Sequence, residues 1–321
     1  MQYPPRHPAE GLKEFFRKWM LPLAMTVGVL AYLLVHYLWR AAESPYMAFC
    51  GNVQPVLIGL MLFLQLNLVA PSDLRFHRWH FQLLGLQAVV FAGMAALAMV
   101  VPNFGARTLL ESVMLCFICP TAAAAGVITM KLGGNLAGIM TYTVMANLLA
   151  AVMIPSMVPL IHPVADAGFW TLFLAIIRRV FSILVLPLVA AWLIRFGLPR
   201  LQKYLERFAP WAFYIWGCSL LLSISLATSA LVGSGISVLL AVAIGVVSLA
   251  CCLLQFLIGR RGVRRYGHSE AVTAGQALGQ KNTGFIIWLG VNYMTPVTSI
   301  AGGLYAVWHN LVNSWQLMRQ K

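Results

Sequence analysis

The stretch Ser269–Leu289 reads SEAVTAGQALGQKNTGFIIWL, and the rest of the chain is read outward from it. It is the ninth of ten apolar segments, yet its centre holds Gln276, Gly279, Gln280, Lys281, Asn282 and Gly284, a run too polar and glycine-rich for an ordinary membrane helix. A lysine at mid-bilayer costs about 2.5–3.5 kcal/mol even on insertion scales, so such residues face protein or water and mark pathways or binding sites. Lys281 is therefore expected at a binding site. The plainer alternative is a lysine whose stem reaches the interface or which pairs with a neighbouring helix.

The composition fits that reading. With 61% hydrophobic and 9% charged residues in 321 positions, the chain lacks the polar surface of a water-soluble globule. Its apolar runs have the length of about 17–25 residues that a helix needs to cross a bilayer, not the short alternation of barrel strands. The first run, Met20–Leu38, is too long for a signal-peptide core and ends at Trp39 and Arg40, which predicts a retained helix. The six cysteines lie in or beside apolar segments without zinc-ligand spacing and are expected to be packing residues. A net charge of +14 could suggest nucleic acid, but the basic residues are scattered over many short loops, which argues against it. Trp39, Trp79, Trp170, Trp211, Trp308 and Trp315 fall near segment ends and read as interface anchors.

In chain order, an N-terminal arm (1–19) with Pro4, Pro5 and an amphipathic GLKEFFRKW stretch precedes segments at about 20–39, 52–70, 79–101, 108–132 and 136–160. A linker with Pro163 and Asp166, and a semi-amphipathic approach from Phe169 to Arg179, lead to segments at about 180–196, 209–231, 236–258, 269–289 and 297–316. The expected organisation is an all-α integral membrane protein of ten spans, divided into five-helix halves at 20–163 and 164–321. With alternating sides and a cytoplasmic N-terminus, Arg40, Arg107, Arg178 and Arg179 fall outside and Lys281 within the membrane, leaving 17 of the 22 basic residues inside. Such a bias predicts a plasma (inner) membrane protein with both termini cytoplasmic.

Five spans per half invert the second half relative to the first. The fourth segment of each half is also interrupted: CPTAAAAGV (Cys119–Val127) in one and GQALGQKNTG (Gly275–Gly284) in the other. Matched breaks in inverted halves are a transporter signature, because half-helix ends present backbone groups to a mid-membrane ligand. Pro120 withholds a backbone donor, and Gly126, Gly279 and Gly284 are expected to form the turns between broken, crossing helices.

These residues resemble the bile acid:sodium symporter family. GQKNTG is similar to the family's GMQNSG and CPTAAAAGV to its CPGGTASNV, while GGLYAVWHNLVNS (Gly302–Ser314) resembles the tenth-helix pattern and KLGGNLAG the turn before helix five. The resemblance implies two inverted five-helix repeats, and a panel of helices 1, 2, 6 and 7 moving against a core of the other six. It also implies a sodium site, which this chain departs from. The family's serine–asparagine pair falls on Ala125 and Gly126, its glutamate on Ala277, its glutamine on Lys281 and a serine on Ile139. Gln87 and Thr143 are the residual sodium-ligand candidates.

A hard cation needs oxygen ligands, so this pattern argues against sodium, and no other cofactor or metal is expected. Instead, the ammonium of Lys281 could occupy the ion's place at the carbonyl ends of the broken helices. No acidic residue falls at mid-membrane: Glu111 lies near the start of segment four, and Glu270 about 16 Å of helix from Lys281. Lys281 must then give up its proton or pair with an anionic substrate. The leading reading is a secondary transporter of a small-molecule organic anion by alternating access. Lys281, Asn282, Gln280, Thr283, Thr121 and Asn147 are expected around the substrate, with interhelical hydrogen bonding as the alternative for Asn147 and Thr143. A sodium symporter with a modified ion site and a non-transporting membrane receptor or scaffold are the other readings. No HExxH, GxSxG or acidic pair points to an enzyme, and His77 and His80 read as interfacial residues. The lipid bilayer is the one partner the sequence dictates; oligomeric state is not readable.

Overall fold

A computed structural model describes residues 8–122, 124–164 and 168–319, the segment 8–18 by backbone alone. Pro4, Pro5, Asp166 and Lys321 lie outside these residues. Among them, every regular element is helical, in the order α1 (Pro8–Leu38), α2 (Glu43–Leu66), α3 (Arg78–Val100), α4 (Phe104–Ile118), α5 (Ala125–Lys131), α6 (Leu136–Ile161) and α7 (Phe169–Leu184). There follow α8 (Leu186–Gly197), α9 (Pro199–Glu206), α10 (Ala212–Ser234), α11 (Val238–Gly262), α12 (His268–Gly279), α13 (Thr283–Tyr293) and α14 (Ser299–Met318).

Local chemistry fixes many of the ends. Asn103, Asn135, Ser237 and Asn282 each accept a hydrogen bond from a backbone N–H in the first turn of α4, α6, α11 and α13, satisfying a donor that the helix itself leaves unpaired. Gly235, with φ of 60°, closes α10 in the left-handed region. Pro187 in the first turn of α8 cannot continue the ladder of α7, and the two helices meet at 46°.

Among the described residues six helices are long and apolar enough to cross a membrane, and the bent pair α7–α8 supplies a seventh candidate. The protein is an integral membrane protein. Segments four and nine are each two short helices, α4 with α5 and α12 with α13. Around them the helices pack as two groups: α1, α2, α7–α8 and α10 against one another, and α3–α6 with α11–α14, joined through α6–α7, α10–α13, α10–α14 and α2–α13.

Several expectations are corrected. The second helix starts at Glu43 rather than near 52, and the first is continuous from Pro8, so the amphipathic arm is part of it. Helix six begins at Phe169, which puts Arg178 and Arg179 inside it instead of at the end of an outer approach to a span starting near 180. Trp79 is fully buried, its Nε1 donating to Glu270 Oε2 at 2.8 Å, and is not an interface anchor. His80 is likewise buried, accepting the His77 backbone N–H at the start of α3.

Candidate functional site

The breaks in segments four and nine meet. Thr121 and Lys281 form an antiparallel backbone bridge in which Ala122 N donates to Gln280 O at 3.1 Å and Asn282 N to Pro120 O at 2.9 Å. Pro120 has no N–H to give the carbonyl four residues back and disfavours helical geometry at Cys119, which turns extended and ends α4, while the Pro120 carbonyl receives Asn282. Two interrupted helices thus repair each other's backbone inside the protein.

Interruption also frees carbonyls at the ends of α4 and α12, and side chains from other helices supply their donors. Phe117 O receives Gln87 Nε2 from α3 at 2.5 Å and the Lys281 ammonium at 3.1 Å. Gln255 on α11 donates to Cys116 O at 3.2 Å, and Tyr305 on α14 donates to Gly279 O at 2.8 Å. Thr121 Oγ1 donates to Ala277 O at 2.8 Å, and separately, in the first turn of α13, Gln54 on α2 donates to Gly284 O at 2.7 Å. Buried carbonyls without such partners would each cost about 1–3 kcal/mol.

Lys281 is 1% exposed, and its neighbours are the thiols of Cys116, Cys119 and Cys251. Among the described residues no carboxylate pairs with it. Glu111 is spent elsewhere: fully buried on α4, it faces Arg107 at 3.2 Å and His162 at 3.1 Å and accepts Thr295 N at 2.9 Å. Glu270 accepts Trp79 and Asn135.

Of the other expected site residues, Gln280, Asn282, Thr121 and Thr283 are buried at the junction, with Asn282 Oδ1 capping α13 and its Nδ2 unpartnered. Gln280 points away from the ammonium into an amide chain, donating to Gln276, which donates to Gln316 at 2.6 Å. Asn147 lies on α6 with neither end of its buried amide hydrogen-bonded, and Thr143 donates into its own helix at Ile139 O, so neither makes an interhelical bond.

The glycines do different work from that expected. Gly126 lies within α5, Gly284 in the first turn of α13 and Gly279 at the end of α12, and the positive-φ glycines among the described residues are Gly133, Gly235 and Gly267 instead. At Gly279 an added Cβ would lie 2.4 Å from the Phe256 ring, so close packing of α12 on α11 is what excludes a side chain.

The residual sodium candidates are engaged. Gln87 Oε1 accepts Tyr142 OH at 2.5 Å, and Phe117 O, the carbonyl beside it, is already taken by Lys281 and Gln87. Ala125, Gly126 and Ala277 add no side-chain oxygen to this set. Sequence reasoning missed Gln54, Gln255, Tyr142 and Tyr305. It also missed a cavity of about 850 Å³ between α2 and α7–α8, lined by Arg178, Arg179 and Asn52 and reaching Trp288 of α13.

A comparison with known families matches residues 55–234 to the Sodium Bile acid symporter family. The chain belongs to that family. The matched residues run from α2 through α10, so Lys281 and α12–α14 lie beyond them. No curated protein matches the chain. Family membership and the apolar helices make it a transporter-family membrane protein.

Proposed function

We propose that this chain is a secondary carrier of an organic anion that works without a bound sodium ion, with the Lys281 ammonium standing where the ion would. The observation that carries the reading is the Lys281 ammonium donating to Phe117 O at the junction of the two breaks, with no carboxylate partner among the described residues. A buried cation without a counter-ion is costly and creates a preference for an anionic ligand. The arginines of the α2–α7 cavity support the same sign of substrate. On this reading the chain crosses the inner membrane ten times as two inverted five-helix repeats, with both termini cytoplasmic. The α1, α2, α7–α8, α10 group rocks against the rest. Asn282, Thr121, Thr283 and Asn147 contact substrate; the unpartnered amides of Asn147 and Asn282 support this. If Lys281 cycles its proton, transport is proton-coupled; if it stays charged, transport is exchange or facilitated diffusion.

The family's description supports a second reading, sodium symport through backbone carbonyls with Gln87 and Thr143. Uptake of radiolabelled taurocholate and pantoate into proteoliposomes separates the two, with choline replacing sodium. Sodium-independent uptake that Lys281→Gln abolishes is the expected result. Sodium-dependent uptake that survives Lys281→Gln overturns the proposal and leaves symport.

A further inference from the structure

A second cavity, of about 990 Å³, lies between α11 and α14. Its walls are two helical stripes at three- and four-residue spacing: Leu249, Leu253 and Leu257 on α11, and Trp308, Leu311 and Trp315 on α14. At its deep end Trp308 Nε1 donates to Ser248 Oγ at 3.1 Å and ties the two helices together. Its other end is basic, formed by Arg260, Arg261, Arg264 and His268, and no acidic residue lines it among the described residues.

The dimensions and the charge select an occupant. Leu249 and Arg260 are eleven residues apart on one helix, about 16 Å at 1.5 Å per residue, which is about half the 30 Å hydrocarbon thickness of a bilayer. One leaflet's acyl chain therefore matches the apolar length of the groove. The three arginines then sit at headgroup level, exposed and without an ion pair among the described residues. Guanidinium groups bind phosphate in bidentate fashion, and basic clusters between membrane helices take anionic headgroups. We infer that the α11–α14 groove is a binding site for one anionic phospholipid, its acyl chain along Leu249–Leu257 and its phosphate on Arg260, Arg261 and Arg264. The same cavity continues through Arg260 and His268 to a smaller one bounded by Gln276 and Gln316, the outer links of the amide chain that ends at Gln280. Lipid occupancy would thus steady the α12–α14 contact beside the transport junction. The inference stands whether or not the anion-carrier reading holds.

Thermal unfolding of the purified full chain in mixed micelles tests it, with phosphatidylglycerol compared against phosphatidylcholine of identical acyl chains. A saturable rise in Tm with phosphatidylglycerol alone is expected. That rise should be lost in R260Q/R261Q/R264Q and kept in R200Q/K203Q/R207Q, which removes the same charge from exposed positions around α9. A groove-filling variant, Leu253→Trp with Leu257→Trp, keeps the arginines and should blunt the rise, so the proposal remains testable if the arginine variant folds poorly. Equal rises with both lipids, an equal loss in the α9 control, or a full rise with inorganic phosphate or taurocholate in place of the lipid would each overturn it.

Discussion

Lys281 combines a desolvated charge with a hydrogen bond that the fold does not depend on. Phe117 O keeps Gln87 as a donor when the ammonium is removed, and Lys281 is fully buried. Replacing a buried charge with an apolar group of similar length is often neutral or stabilising by about 1–4 kcal/mol. Lys281→Met is therefore expected to leave Tm unchanged or raise it while anion uptake fails; parallel unfolding and proteoliposome assays check this. A large loss of Tm would instead assign the lysine a structural role. Gly279 behaves in the opposite way. A methyl group there meets the Phe256 ring at 2.4–2.6 Å, and overpacking of this kind costs about 1–3 kcal/mol. Gly279→Ala should lower stability by that order, with much of the loss recovered when Phe256→Leu is added. A double-mutant cycle with no coupling between the two would refute the close-packing account.

The broken elements hold together because donors reach them from helices distant in sequence. Tyr305 serves twice, donating to Gly279 O and receiving Gln255 Nε2 at 3.2 Å, so Tyr305→Phe should strand a buried carbonyl and cost about 1–3 kcal/mol. Chemical denaturation checks this; an unchanged midpoint would mean that another donor substitutes. The breaks themselves were legible in the sequence, since Pro120 ends α4's ladder and GQKN is too polar for a continuous span. Their donors were not. Gln87, Gln255 and Gln54 look like any polar residue in a membrane helix until the chain is folded, and their acceptors lie 30, 139 and 230 residues away. A glycine in a sequence likewise does not reveal whether it serves a turn or a close approach, and for Gly126, Gly279 and Gly284 the turn was the wrong choice. In the sequence Arg178 and Arg179 read as the end of a semi-amphipathic approach to a span starting near 180, and they lie instead inside α7. They are tolerated in α7 because they face a cavity rather than a closed core.

At the scale of the molecule, the two helix groups are linked where Gln54 of α2 bridges Ser223 of α10 and Gly284 O of α13, at 2.8 and 2.7 Å. Alternating access requires that such a contact between panel and core open and close in each cycle. The geometry permits a direct test. A Cβ built at Gly284 lies 3.5 Å from Ser223 Oγ, so side chains at the two positions are in van der Waals contact. Ser223→Cys with Gly284→Cys, in a background where the exposed Cys218 is replaced by serine, should therefore cross-link under mild oxidation and tie α10 to α13. Rocking of one group on the other then predicts that oxidation stops anion uptake and that dithiothreitol restores it, while each single cysteine variant is indifferent to both treatments. Full cross-linking, verified by mass, with undiminished uptake would mean that α10 and α13 move as one body. The moving boundary would then have to be sought elsewhere, first at the α6–α7 contact that is the other broad junction between the groups.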